Sequence, residues 1–165
     1  MEIRILEPGD AWAYRKLRLE ALLNSPEAFL TSHEEAEKMS EDDYKVRLQS
    51  SEVFNFGAFK GDNLIGMVAL VGETKVKINH RSSVFGMYVT PTCRGKGVGK
   101  KLMQTAVEQA RSIDGVSQLC ISVVTKNTTA KSMYYAQGFV PIGIHKKAIK
   151  FGEAFLDEEH MVMML

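Results

Sequence analysis

Seven consecutive residues, Arg94–Gly95–Lys96–Gly97–Val98–Gly99–Lys100, interleave glycines with cations. A glycine-rich turn that opens a helix exposes a row of backbone N–H groups, and the helix N-terminus adds partial positive charge. Phosphate is the ligand such a turn binds best: the glycines let the backbone approach an anion, and Arg94, Lys96 and Lys100 supply mobile charge. A Walker loop would need Gly at position 94 and Ser or Thr at 101, where Arg94 and Lys101 stand. A dinucleotide fingerprint would need a small residue at 100 or 102, where Lys100 and Leu102 stand. Both are excluded, and on spacing alone a turn with solvated lysines is the competing reading.

The elements around this turn follow from periodicity. Val84–Val89 reads as a strand that ends at Pro91, and Val98, Leu102, Ala106 and Ala110 form a helical stripe, so the turn joins strand to helix. Upstream, Met1–Glu7 alternates as a first strand, closed by Pro8–Gly9. Asp10 is then the expected N-cap of a helix carrying Ala13, Leu17, Ala21 and Leu22 and ending near Asn24. Asn24–Met39 is polar around Pro26, with an apolar island Ala28–Phe29–Leu30, and reads as a long substrate-facing loop. Ser40 and Asp43 form a capping box for a short helix with Tyr44 and Leu48 on one face. Val53–Phe59 and Leu64–Val71 flank a hairpin turn at Lys60–Asn63. The basic segment Glu73–Arg81 is read as strand ends or a second hairpin tip.

Downstream, Gln118–Val124 is a β-branched strand, and Thr129–Gln137 a helix whose Gly138 suits the left-handed C′ position. Val140, Ile142 and Ile144 alternate as a strand. Asp157–Glu158–Glu159 reads as a solvated turn before a last strand, Met161–Leu165. The order β-α-α-β-β-β-α-β-α-β-β predicts an α/β fold, one mixed sheet covered by helices, in a single domain over residues 1–165.

Lys and Arg number 21 against 20 Asp and Glu, a net charge of +1. Nucleic-acid binders carry a basic excess, so no nucleic-acid partner is expected. Cys93 and Cys120 do not stand at zinc spacing from His33, His80, His145 or His160, and no metal is expected. The uncharged stretch Gly115–Thr125 is too short and polar to span a bilayer, and Met1–Asp10 holds no apolar signal core. No membrane association and a cytoplasmic location are the expectations.

Arg94-x-x-Gly97-x-Gly99, between strand and helix, resembles the Arg/Gln-x-x-Gly-x-Gly/Ala signature of the GNAT family of N-acetyltransferases. Asn127, Ala130, Met133–Tyr134 and Gly138–Phe139 are similar to that family's N-x-x-A-x-x-L-Y-x-x-x-G-F pattern, with Met133 in place of Leu. The resemblance implies the GNAT acyl-CoA N-acyltransferase fold and transfer of an acetyl group from coenzyme A to an amine. It implies that Arg94, Gly95, Lys96, Gly97, Val98, Gly99 and Lys100 hold the pyrophosphate of acetyl-CoA. The backbone of Met87, Tyr88 and Val89, with Asn127, would meet the pantetheine arm. Tyr134 would face the thioester sulfur as general acid, and a backbone N–H near Met87 would meet the developing oxyanion.

No carboxylate lies in Ser82–Val89, so no general base is assigned. That gap keeps open a second reading, a coenzyme-A-binding sensor without turnover. Arg18–Leu22 and Ser25–Phe29 resemble a bacterial subgroup whose acceptors are small-molecule amines, antibiotics and protein amino groups. Members often pair as homodimers, a point the sequence leaves open.

Overall fold

The structure, a computed structural model, describes residues 1–165. In chain order the elements are β1 (Glu2–Ile5), α1 (Ala11–Asn24), α2 (His33–Glu37), α3 (Glu41–Leu48), β2 (Val53–Lys60), β3 (Asn63–Gly72) and β4 (Arg81–Val89). They continue with α4 (Val98–Ser112), β5 (Gln118–Val124), α5 (Thr128–Gln137), β6 (Val140–Phe151) and β7 (Ala154–Met164). The strands form one seven-stranded sheet in the order β1-β2-β3-β4-β5-β7-β6. Every pairing is antiparallel except β4 with β5, the mixed sheet that the element order predicts. No helix is long and apolar enough to cross a membrane.

Two faces of the sheet are buried by two helix sets, and side-chain alternation decides which residue goes where. Ile65, Val68 and Leu70 of β3 join the main core with Leu102, Met103, Ala106 and Ala110 of α4. Met67 points the other way, to Leu17 and Ala21 of α1. The α4 stripe approaches closely because Gly66 carries no side chain. A Cβ there would stand 2.9 Å from Leu102 Cδ1 and 3.2 Å from the Tyr88 carbonyl oxygen. Tyr44 and Leu48 of α3 are buried with Leu6, Ala11 and Phe59, as their shared helical face predicts.

Several expectations need correction. Asp10 makes no cap bond to α1. Its carboxylate accepts from the Glu7 N–H at 2.8 Å and from both terminal nitrogens of Arg4 at 2.7 and 2.8 Å, closing the 3₁₀ turn Pro8–Asp10 instead. Asn24–Met39 is not one loop. Ser32 and Glu35 form a reciprocal capping box that nucleates α2, whose Ala36 is buried. Asp157–Glu159 lie inside β7 and not in a turn: Asp157 accepts from Lys146 Nζ at 2.9 Å and from the Lys147 N–H at 2.8 Å on β6. Val140, Ile142 and Ile144 do form a strand, but all three side chains are exposed because β6 is the sheet's edge. The Ser40–Asp43 capping box and left-handed Gly138 are as the sequence predicts.

Candidate active site

The site begins where β4 leaves its neighbour. β4 and β5 pair only from Arg81–Ser83 to Gln118–Cys120, while β5 runs paired with β7 from end to end. Between the pairs Ala69–Phe85 and Met67–Tyr88, β3 contributes one residue and β4 contributes two, Gly86 and Met87. This is a β-bulge, which bends its strand. Gly86 sits at φ +63°, a conformation that glycine adopts without a Cβ penalty. Beyond Ser83 the β5-facing edge of β4 therefore has no ladder partner, and its N–H and C=O groups face an open wedge.

The wedge opens into a cleft of about 780 Å³. Met87, Tyr88 and Val89 line it from β4; Arg94, Gly95, Gly97, Val98, Gly99 and Lys100 line it from the turn and α4; Asn127 lines it from the start of α5. Asn24, Ser25, Glu27, Ala28 and Phe29 close it from the α1 side, so the first part of the segment read as substrate-facing does face the cleft. Cys93, Ala130 and Met133 complete much of the remaining wall.

Gly95 and Gly97 stand at φ +72° and +78°, and a Cβ on either would meet nothing within 4 Å. Gly97 is the N-cap of α4 and has no side chain to satisfy the first-turn amides, which leaves them for an anion. Arg94 Nε donates to the Val89 carbonyl at 2.8 Å and ties the turn to the strand end, with its guanidinium 5.3 Å from the Tyr88 ring centroid. Asn127 has a local role too, its Oδ1 accepting from the Ala130 N–H at 3.1 Å to cap α5.

Two expected site residues lie outside the cleft wall. Lys96 turns back, its Nζ donating to the Thr92 carbonyl at 2.9 Å. Tyr134 is only 5% exposed and sits in the main core, with its ring tilted against Phe139 at 6.1 Å, one residue behind the cleft-lining Met133. Burial alone pushes its phenol up to about 12.

Sequence reasoning missed a polar clasp on α1. Glu20 Oε1 accepts from the hydroxyls of Tyr88 at 3.0 Å and Thr90 at 2.5 Å, and Asn24 Nδ2 donates to the Tyr88 oxygen at 3.0 Å. The one sequence signal was the i,i+4 spacing of Glu20 and Asn24, which places both on one helix face. Burial is the main cause that raises the Tyr88 phenol.

The acetyltransferase (GNAT) family model matches residues 18–139, and the chain belongs to that family. A spermidine N(1)-acetyltransferase from Vibrio cholerae is 31% identical over 81 residues, which cover 49% of this chain and 45% of that protein. The chain thus aligns with about half the length of that curated relative. Among solved structures, a GNAT-family acetyltransferase from Streptococcus pneumoniae superposes with a TM-score of 0.88 at 22% identity, covering 99% of each chain. yncA from Salmonella typhimurium, solved with its cofactor acetyl-CoA, superposes with a TM-score of 0.87 at 17% identity, covering 100% of this chain and 94% of that one. At these identities the likeness is one of fold.

Proposed function

We propose that the cleft binds acetyl-CoA and that the chain transfers its acetyl group to a primary amine of a small molecule or protein. One observation carries this reading: an anion-binding glycine turn and an unpaired strand edge open into the same cleft. Open amides at Gly95–Gly99, with Lys100, suit a pyrophosphate. The free edge of β4 at Met87, Tyr88 and Val89 suits an extended chain of amides, which pairs as a strand would. The residues present therefore fit the coenzyme, which when bound supplies an activated acetyl thioester.

The acceptor amine attacks as the free base. Its nitrogen forms the bond to the acetyl carbon, the carbon–sulfur bond breaks with its electrons going to sulfur, and the nitrogen gives up a proton to water in the open cleft. A backbone N–H at the Gly86–Met87 bulge meets the charge that develops on the acyl oxygen. Tyr134 stays protonated at every pH the enzyme meets, since burial pushes its phenol to about 12. A phenol that keeps its proton can serve the departing sulfur as a hydrogen-bond donor, and Tyr134, next in sequence to the cleft-lining Met133, is the residue proposed for it.

The test is thermal unfolding with and without excess acetyl-CoA, followed by thiol release with a panel of amines. Ligand at ~100 times its Kd stabilises by about 2.7 kcal/mol, a rise of several degrees for a domain of this size. A shift with amine-dependent release is the expected result. A shift without release would favour a coenzyme-A sensor, and no shift would overturn the cofactor site.

A further inference from the structure

Arg18, midway along α1, has no anionic partner. The ion pairs of the fold are Arg4–Asp10, Lys45–Glu41, Lys45–Asp42, Lys131–Glu159 and Lys146–Asp157, and none includes it. Its guanidinium lies 4.7 Å from the ring centroid of Phe29, a residue of the cleft wall. Its Nη1 stands 3.7 Å from the point where a Cβ on Gly86 would sit, so the cationic fork reaches the bulge itself.

The surroundings are aromatic and basic. The charged or titratable groups that act on Arg18 are Tyr14, Tyr44 and Arg47, with no carboxylate among them, and burial pulls the guanidinium below its usual range. Tyr44 is fully buried, and its hydroxyl has no hydrogen-bond partner. Arg18, Arg47 and Arg15 all bear on that hydroxyl. Arg15 is already committed to the carbonyls of Met39 and Glu37 at 3.0 and 3.1 Å, and Arg47 has Asp43 as an acidic neighbour. Of the three, only Arg18 is both desolvated and unpaired; it stands just outside the cleft wall, against Phe29 of that wall and the Gly86 bulge. A half-buried cation without a counter-ion is a standing cost, relieved when a ligand brings the anion.

We propose that Arg18 recognises a carboxylate of the acceptor, and that the acceptor is therefore a small amino carboxylic acid. This rests on the transferase reading and names its substrate class. A guanidinium fork pairs bidentately with a carboxylate, and Phe29 holds its plane from one side. With the carboxylate on Arg18 at the bulge, the acceptor's free amine is held beside the unpaired edge of β4. There its nitrogen bonds to the acetyl carbon, the sulfur departs with the electrons of the broken bond, and the proton that the nitrogen sheds to water is balanced by one the thiolate takes from water. A polyamine would instead bring surplus cations toward Arg18 and Arg47.

The experiment measures acetyl-CoA-dependent thiol release by the full chain with matched acceptors: L-phenylalanine and phenethylamine, L-lysine and cadaverine, β-alanine and ethylamine. Spermidine and O-phosphoethanolamine complete the panel. At least one amino acid should exceed its carboxylate-free partner in kcat/KM by about tenfold or more. Arg18→Gln should erase that margin chiefly through KM, and Arg18→Lys should restore part of it. Acetyl-CoA affinity should be equal in all three proteins, and its absence from the wild type would fail the transferase reading instead. Equal or faster turnover of the carboxylate-free amines, a preference for O-phosphoethanolamine, or a margin that survives Arg18→Gln would each overturn the proposal. Titration of the coenzyme-A-loaded protein with N-acetyl-L-phenylalanine and N-acetylphenethylamine reads the same contact without turnover. Failure of the carboxylate to strengthen binding there, with no margin in turnover, also overturns it.

Discussion

Glu20 and Tyr88 are 68 residues apart in sequence and joined by a 3.0 Å hydrogen bond, the contact that fastens α1 to the strand lining the cleft. Thr90 donates to the same carboxylate oxygen, so one acid holds both sides of the Val89 position. Glu20→Ala leaves two hydroxyls without their acceptor, at a cost of about 1–3 kcal/mol. At about 2–4 °C per kcal/mol, the unfolding midpoint should fall by several degrees. Acetyl-CoA affinity should weaken with it, because Tyr88 is part of the wall. Glu20→Gln keeps an acceptor oxygen and should recover most of both in calorimetry.

Tyr134→Phe separates fold from chemistry. The phenol is shifted by burial alone, with no hydrogen bond among its causes, so its removal should leave the unfolding midpoint within about 2 °C of wild type. Turnover should fall by about 10²–10⁴. The raised phenol also predicts a pH profile of kcat without a tyrosine inflection near the ordinary value of 10. The neutral phenol favours the fold below pH 10, and that contribution is lost only as pH rises through about 12. An inflection near 10 that vanishes in Tyr134→Phe would contradict this.

Gly97 tests the turn. At φ +78° an L-residue pays about 1–2 kcal/mol, and no neighbour within 4 Å adds a clash. Gly97→Ala should therefore destabilise by that amount alone. Gly97→Leu should also weaken acetyl-CoA binding by about tenfold or more, one step of 1.4 kcal/mol. Isothermal titration beside a melting curve distinguishes strain from lost phosphate contact, and unchanged affinity in Gly97→Leu would remove the anion from this turn.

The Arg4–Asp10 pair predicts an acid limb of stability. The hydrogen bonds from Arg4, aided by the Glu7 N–H, hold the Asp10 carboxyl below its ordinary 3.8. A lowered folded pKa stabilises above the unfolded value, and the contribution disappears as pH falls below about 4. Arg4 is 38% exposed, so screening keeps the effect within about 1 kcal/mol. Asp10→Asn should flatten that limb in denaturant titrations between pH 5 and pH 2.5, and added salt should shrink the wild-type difference.

Sequence alone determined what arises from a few neighbouring residues. The glycine turn before α4, the Ser40–Asp43 box, left-handed Gly138 and the period-two strands were legible because each cause lies within about one turn of its effect. Motif spacing pointed to Tyr134, but spacing carries no burial, and the tertiary structure put that residue in the core, outside the cleft wall that its neighbour Met133 lines. Asp157–Glu159 read as a turn by charge. They became a strand through partners far along the chain, with Glu159 buried against Lys131 at 3.2 Å and Tyr135 at 2.8 Å. The cleft itself was not legible, because it opens from a register shift between β3 and β4 and from β5 taking β7 as its lasting neighbour. The meeting of Arg18 with Gly86 belongs to the same order of cause: it exists only once α1 packs on the sheet against Met67 of β3 and Tyr88 of β4, which no local propensity encodes.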